Sequence, residues 1–90
     1  MKNFICSLCH NGLIGGCLHL DRKSLTYKTG KLTVDKKYRN LILPMSEINN
    51  ISFKRMIFPI LMVDMKNGEY YKFIIFNKPR FDRSFKEYSQ

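Results

Sequence analysis

Five side chains that could bind a metal ion lie within the first nineteen residues. Cys6, Cys9 and His10 form a Cys-x-x-Cys-His segment, and Cys17 and His19 follow it. A structural zinc ion needs four such ligands that converge tetrahedrally, usually with the Cys-x-x-Cys at a tight turn. If the apolar run around the first two cysteines is a strand, Cys6 and Cys9 point to opposite faces and cannot share one ion. Zinc is therefore the less favoured alternative. We expect no metal or other cofactor, and reduced thiols that behave as small apolar side chains.

The histidines and carboxylates do not form a pattern that is typical of a catalytic site. His10 and His19 have no acidic neighbour in sequence other than Asp21, and the seven carboxylates are scattered along the chain. General acid–base catalysis needs a positioned and tuned pair of such groups. Gly15-Gly16 lacks the following lysine and helix of a phosphate-binding loop. We expect no enzymatic activity and no small-molecule substrate.

Positive charge is the most informative chemical feature of the sequence. The 90 residues include sixteen Lys and Arg against seven Asp and Glu, a formal net charge of +9. Such an excess attracts anionic partners, either acidic lipids or phosphate backbones, although it could also serve only to keep a small protein soluble. The candidate residues for binding an anionic surface are Arg22, Lys23, Lys31, Lys36, Lys37, Arg39, Lys54 and Arg55.

An apolar triplet directly follows the last two of these cations. Met56, Ile57 and Phe58 come after Lys54-Arg55. In a loop, this arrangement suits insertion into a membrane interface, with the cations at the headgroups and the apolar side chains at the acyl boundary. An exposed apolar loop would also suit a homodimer contact. We favour a third interpretation, in which Ile57 or Phe58 belongs to the next strand and packs beneath a C-terminal helix.

Nucleic acid is an alternative partner for the basic residues. Tyr27 and Tyr70 are aromatic residues on predicted strand faces, where they could stack bases as single-strand binding platforms do. Most aromatic residues, however, share a face with aliphatic residues, which is typical of a core. A module that binds an anionic membrane surface or another protein is therefore favoured over a small basic nucleic-acid-binding protein.

The hydropathy pattern predicts short strands within residues 3–77. Apolar residues alternate with polar ones at period two, and turn residues separate the runs. Asn67-Gly68 predicts a hairpin with a type I′ turn, and the segment from Lys28 to Lys37 predicts a long loop. The predicted strands are Phe4–Cys9, Cys17–Leu20, a short one with Leu25 and Tyr27, Tyr38–Leu43, Glu47–Phe53, Ile60–Lys66 and Glu69–Phe76.

The period changes near the end of the chain, where a helix is predicted over about residues 79–88. Asn77 can cap this helix, and a proline two positions later fits its first turn. Phe81, Phe85 and Tyr88 form one apolar stripe at helical spacing. An antiparallel sheet of seven strands would roll into a sandwich or barrel, with the helix closing one end. We predict a mainly β fold.

The sequence predicts one domain over residues 1–90 without a membrane-spanning segment. No apolar run reaches the roughly 18–20 residues that cross a bilayer. Ile14-Gly15-Gly16-Cys17 resembles the cleavage box of a bacterial lipoprotein, but His10 and Asn11 interrupt the apolar stretch before it. We therefore expect this segment to be part of the fold, and the protein to be cytoplasmic or peripheral at a membrane.

Three segments resemble the GRAM domains of the pleckstrin-homology-like superfamily. Gly16–Lys28 is similar to the family hairpin G-x-L-x-L-T-x-x-R-L-x-F, Leu43–Ile48 to its I-P-L-S-D-I segment, and Asn67–Phe73 to its D-G-x-x-Y-x-F hairpin. Cys9-His10-Asn11-Gly12 falls where bacterial members have a histidine before the first glycine. The resemblance covers roughly residues 4–88. It implies a split barrel of seven antiparallel strands capped by one C-terminal helix, in a stand-alone bacterial binding module.

One departure from the superfamily bears on the ligand. The members that bind phosphoinositides gather basic residues in the loop that joins the first two strands. The corresponding loop here, His10 to Gly15, contains no Lys or Arg. The resemblance therefore implies no headgroup pocket at this loop and no site residues.

Overall fold

The computed structural model describes residues 2–10, 12–31, 35–55 and 57–89. Within these residues the chain forms seven strands, two helices and one short 3-10 turn. They are β1 (Lys2–Cys9), β2 (Leu13–Leu20), β3 (Ser24–Lys28), α1 (Lys36–Arg39), β4 (Asn40–Pro44), the 3-10 turn Met45–Glu47, β5 (Ile48–Lys54), β6 (Ile60–Met65), β7 (Tyr70–Ile75) and α2 (Lys78–Tyr88).

The seven strands form one antiparallel sheet in the order β4-β3-β2-β1-β7-β6-β5. The first four strands and the last three are each joined by successive hairpin-like connections, and β1 pairs with β7 to unite the two sets. Cys6 lies opposite Ile75, and Leu8 lies opposite Phe73. The predicted fold class is confirmed: the domain is mainly β, with seven antiparallel strands and one C-terminal helix.

Alternation along the strands places one face of the sheet in the core. In β1, Phe4, Cys6 and Leu8 are buried and the residues between them are not. Tyr27 and Phe73 meet inside the barrel-like sheet, with ring centroids 5.6 Å apart. Burial of these apolar side chains is the main favourable contribution to folding.

Helix α2 covers one end of the sheet, as predicted. It begins one residue earlier than expected, after the capping side chain of Asn77. The buried ring of Phe81 packs edge-on against Phe4, with centroids 5.0 Å apart. Phe85 and Tyr88 are partly buried against the same core. Neither helix of the described residues is long and apolar enough to cross a membrane.

Strand β2 is longer than predicted. It begins at Leu13 rather than Cys17, so the loop before it is shorter. Position 16 of β2 is a glycine because no side chain fits there. An added Cβ would lie 2.4 Å from the backbone oxygen of Lys28. The segment Ile14–Cys17 is thus part of the fold, as expected.

The connection between β3 and β4 differs from the prediction, although part of the long loop expected from Lys28 to Lys37 lies outside the described residues. Tyr38 belongs to α1 rather than to a strand, and β4 begins at Asn40. The N–H of Tyr38 donates to the carbonyl of Asp35 (2.9 Å), a local helical turn that strand periodicity does not reveal. Pro44 closes β4, where an edge strand tolerates its missing N–H.

The hairpin predicted at Asn67-Gly68 is present between β6 and β7, but its turn is not of type I′. The N–H of Gly68 donates to the carbonyl of Met65 (3.1 Å), which makes Lys66 and Asn67 the central residues of the turn. Gly68 follows them with a φ of +92°. This is the geometry of a three-residue hairpin loop, in which glycine takes the left-handed position.

Candidate functional site

The candidate basic residues do not form one patch, because the sheet separates them into three groups. One group lies in the turn before Ser24, at the start of β3. At the other end of β3, about 13 Å away, Lys28 pairs with Asn40, directly after α1. The first group is Arg22 and Lys23, the second is Lys31, Lys36, Lys37 and Arg39, and the third is Lys54 and Arg55 at the end of β5.

The third group lies beside the start of α2. Lys54 and Arg55 line a depression of about 310 Å³ together with Lys78, Phe53 and Pro59. The Nζ atom of Lys78 is 5.0 Å from the ring centroid of Phe53, a distance at which the ring attracts the cation. Lys78 is therefore a third cation at this place. It is far in sequence from Lys54, and nothing in the sequence pattern indicated the contact.

Ile57 and Phe58 form an exposed tip in the loop between β5 and β6. Their side chains are 94% and 49% exposed. The favoured sequence interpretation, in which one of them begins the next strand and packs beneath the helix, is wrong. β6 begins only at Ile60, and the buried ring of Phe81 fills the space beneath α2. Met56, the third residue of the predicted tip, lies outside the described residues.

Two further apolar side chains extend the tip. Phe76 is 57% exposed, and its ring lies edge-on to that of Phe58 with centroids 5.7 Å apart. Cys6 of β1 pairs with Ile75 of β7. If the same antiparallel register is continued by one residue beyond this pair, the exposed Ile5 lies beside Phe76. The sequence interpretation missed both, although period-two alternation places Ile5 on the outward face of β1 and Phe76 on the outward face of the predicted strand Glu69–Phe76. We define the apolar surface as Ile5, Ile57, Phe58 and Phe76.

Arg80 brings a further positive charge to the border between α2 and β1. Its guanidinium carbon is 4.6 Å from the ring centroid of Phe4, and its Nη1 donates to the carbonyl of Asn3 (2.8 Å). Asn3 lies two residues before Ile5 on the same strand. Cations from β5, from the following loop and from α2 therefore border the apolar surface.

A second site lies at the opposite end of β7, where three connections meet. The rings of His10 and Tyr38 stack with centroids 4.2 Å apart and planes at 29°. This contact joins the end of β1 to α1. The hydroxyl of Tyr71 donates to Oε2 of Glu69 (2.8 Å), and Nζ of Lys37 is 4.0 Å from the same oxygen. The Glu69 carboxylate thus links α1 to the hairpin between β6 and β7.

Lys37 lies between two tyrosine rings and this carboxylate. Its Nζ atom is 5.5 Å from the ring centroid of Tyr38 and 5.8 Å from that of Tyr71. The negative charge that Tyr71 carries when it ionises, and then the charge of Glu69, raise the pKa of Lys37. Burial, and then the hydrogen bond to Glu69, raises the pKa of Tyr71, so its phenol remains a donor at neutral pH.

His10, Tyr38 and Tyr71 line a cavity of about 220 Å³. Tyr70 is 59% exposed on one side of it, and Nζ of Lys72 is 5.7 Å from the Tyr70 ring centroid. Tyr27, the other predicted stacking residue, is fully buried and offers no ring face to a ligand. We define the aromatic pocket as the cavity lined by Leu8, Cys9, His10, Tyr38, Tyr70, Tyr71 and Lys72.

Arg22 lies in a third region of the surface, beside the last turn of α2. Its guanidinium carbon is 5.5 Å from the ring centroid of Tyr88. Both residues line a groove of about 510 Å³ between α2 and the edge strand β5. Helix α2 has eleven residues and a length of about 16 Å, so Arg22 is well separated from Lys78 at its first residue.

The cysteines and histidines are spread over both faces of the sheet. Cys6 is buried in the core and Cys9 lies on the outer face of the same strand, as predicted. Burial raises the pKa of Cys6 to about 12. Cys17 and His19 lie on the outer face of β2, and Nδ1 of His19 is 2.6 Å from Oδ1 of Asn3. In the described part of the chain, no three His, Cys, Asp or Glu residues are grouped so that they could hold a metal ion.

The fold has a counterpart among solved structures. The chain is similar to the C-terminal domain of an unknown protein from Leishmania infantum, with a TM-score of 0.82 and 12% sequence identity. The match covers 99% of this chain and 82% of that one. At this identity the likeness shows the fold alone. No protein-family model matches the chain, and no curated protein matches its sequence.

Proposed function

We propose that this protein is a non-enzymatic binding module that attaches peripherally to an anionic membrane surface. The observation that carries the proposal is the almost fully exposed Ile57 side chain, which directly precedes Phe58 in the chain, together with the contact between the exposed rings of Phe58 and Phe76. Contiguous apolar side chains at the surface of a small domain are unfavourable in water and mark interaction sites. At a membrane interface they would transfer from water to the acyl boundary.

The neighbouring cations support a membrane rather than an apolar protein partner. Lys54, Arg55 and Lys78 lie beside the tip, where each would contribute about 1 kcal/mol near an anionic leaflet. Insertion of one large apolar side chain contributes at most about 1.5–3 kcal/mol, and less for a ring that is half-buried already. Because neither contribution alone gives stable attachment, the proposed target is a membrane that contains acidic lipids.

The resemblance to GRAM domains is part of this proposal. It is supported by the order of the three similar segments along the chain, and by a fold with the strand number and terminal helix which that family would require. We propose a stand-alone bacterial member of the family, located in the cytoplasm, with its three cysteines reduced. A phosphoinositide pocket at the loop between β1 and β2 is not part of the proposal, because that loop has no Lys or Arg.

Co-sedimentation with lipid vesicles tests the proposal. The wild-type protein should pellet at low salt with phosphatidylcholine vesicles that contain about one third phosphatidylglycerol, and stay in solution with phosphatidylcholine alone. The double substitution Ile57→Ser and Phe58→Ser should reduce the bound fraction several-fold, because the apolar contribution is lost. Ile42→Ser is the matched control. It removes an exposed apolar side chain from β4, away from the apolar surface, and should bind as the wild type does.

Two results would contradict the proposal. Vesicle binding that is unchanged in the double variant and abolished by salt alone would mean that the attachment is purely electrostatic. Gel filtration could instead show a wild-type dimer that the double variant loses, without any vesicle binding. The apolar surface would then be a contact between two copies of the chain.

A further inference from the structure

We propose that the aromatic pocket binds one nucleotide of a single-stranded nucleic acid, with the base against the rings and the phosphate near the lysines. This site is separate from the apolar surface: the two lie at opposite ends of β7 and share no residue. The inference therefore does not depend on membrane attachment.

The shape and walls of the aromatic pocket suit a single planar ring system. The stacked rings of His10 and Tyr38 form one wall, and the exposed ring of Tyr70 lies on another side. The cavity of about 220 Å³ is smaller than the roughly 300–1,000 Å³ typical of pockets for drug-sized ligands. Aromatic side chains stack with any base, because every base has a π face. One base fits such a pocket better than an extended ligand does.

The charges around the pocket suit the phosphates of a strand. Lys72 lines the pocket itself, and Lys37 is held against the rings of Tyr38 and Tyr71 at its border. Phosphates on both sides of the bound base would meet the surrounding cations. The described residues at this end of the sheet include seven Lys and Arg against four carboxylates, Asp35, Glu47, Asp64 and Glu69: Lys28, Lys31, Lys36, Lys37, Arg39, Lys66 and Lys72.

The contacts between the three connections fix the pocket before a ligand binds. The Glu69 carboxylate binds the Tyr71 hydroxyl and lies near the Lys37 ammonium group, while His10 and Tyr38 stack. Preformed contacts of this kind lower the entropic cost of ordering side chains on binding. A lipid headgroup would use the cations but not the rings, since it has no planar π face. The aromatic walls therefore favour a base over a headgroup.

The test is fluorescence anisotropy with a labelled oligothymidylate of about eight nucleotides at low salt. Tyr70→Ala should weaken binding about tenfold or more, because one stacking surface is lost. Tyr70→Phe keeps the ring and should bind as the wild type does. Phe76→Ala removes a ring of similar exposure beyond the other end of β7 and should leave the affinity unchanged. Since Tyr70 is exposed, both Tyr70 variants should unfold at the wild-type temperature.

Charge is tested separately with Lys72→Gln. Loss of one phosphate contact should reduce the slope of log affinity against log salt by about 0.7 for a single strand. Three results would overturn the proposal. The first is no binding of the oligonucleotide at low salt, and the second is equal binding by wild type and Tyr70→Ala. The third is displacement of the strand by free thymidine monophosphate at equal nucleotide concentration, which would assign the pocket to a free nucleotide.

Discussion

The thiol of Cys6 shows how the core acts on a single ionisable group. Its side chain is 1% exposed, and burial raises its pKa from 9.0 to about 12. In the unfolded chain the thiol loses its proton near pH 9, whereas in the folded protein it keeps the proton. The free energy of unfolding should therefore be unaffected below pH 9 and fall as the pH rises from 9 towards 12.

Urea unfolding at a series of pH values measures this effect. The wild-type protein should lose stability between pH 9 and 12 with a slope of at most about 1.4 kcal/mol per pH unit from this group. Cys6→Ala should be less stable throughout but show a shallower decline. Tyr27 and Tyr71, whose pKa values burial also raises, are present in both proteins. Parallel curves for the two proteins would contradict the account of Cys6.

The two tyrosines named as stacking candidates show what alternation reveals at a single residue. Tyr27 shares a strand face with Leu25 and is buried, whereas Tyr70 shares its face with Lys72 and is exposed. The composition of each face could have separated them. The aromatic pocket could not have been predicted, because His10, Tyr38 and Tyr70 come from three segments whose proximity depends on the pairing of β1 with β7.

Strand β2 lies so close to the end of β3, with which it pairs, that position 16 has no room for a side chain. An added Cβ would lie 2.4 Å from the carbonyl oxygen of Lys28 and 2.8 Å from the ring of Tyr27. Neither neighbour can move easily, since the Tyr27 hydroxyl donates to the carbonyl of Ile14 (2.6 Å). Gly16→Ala should therefore lower the free energy of unfolding by about 1–3 kcal/mol in denaturant titrations.

Gly15→Ala is the matched control for this prediction. No atom lies within 4 Å of the position of its Cβ, and the residue is exposed on the outer face of the same strand. The substitution should leave stability nearly unchanged, or raise it slightly through the unfolded chain. Equal losses at both glycines would show that strand flexibility, and not the contact with β3, explains the effect of Gly16→Ala.

The number and type of elements could be predicted from the sequence, whereas their ends depended on contacts between distant segments. The run Met56-Ile57-Phe58-Pro59-Ile60 is apolar throughout, so alternation gives no sign of where the strand begins. The start of β6 depends on the neighbouring strand: the N–H of Ile75 donates to the carbonyl of Pro59 (3.3 Å). The tip before Pro59 is left outside the sheet, and the prediction that it packs beneath α2 failed for this reason.

For the molecule as a whole, the sequence predicted the excess of positive charge and its segments, but not which of the cations lie together in the fold. The net charge of +9 belongs to a domain whose longest dimension is 36 Å. The group at Lys54 and Arg55 borders the apolar surface, while the group in α1 borders the aromatic pocket. Tyr70 and Phe76 are six residues apart along β7 and its continuation, a separation of about 20 Å. This is more than twice the Debye length of about 8 Å at physiological salt.

If both proposed sites are correct, this separation predicts that the protein binds a membrane and a strand at the same time. A labelled oligonucleotide should pellet with anionic vesicles in the presence of the wild-type protein at about physiological salt. Tyr70→Ala should pellet without the oligonucleotide, because only the aromatic pocket is impaired. The variant with Ile57→Ser and Phe58→Ser should bind the oligonucleotide but remain with it in solution. If the oligonucleotide instead releases the wild-type protein from the vesicles, the two anions compete for one basic surface, and the two ends of β7 do not act as independent sites.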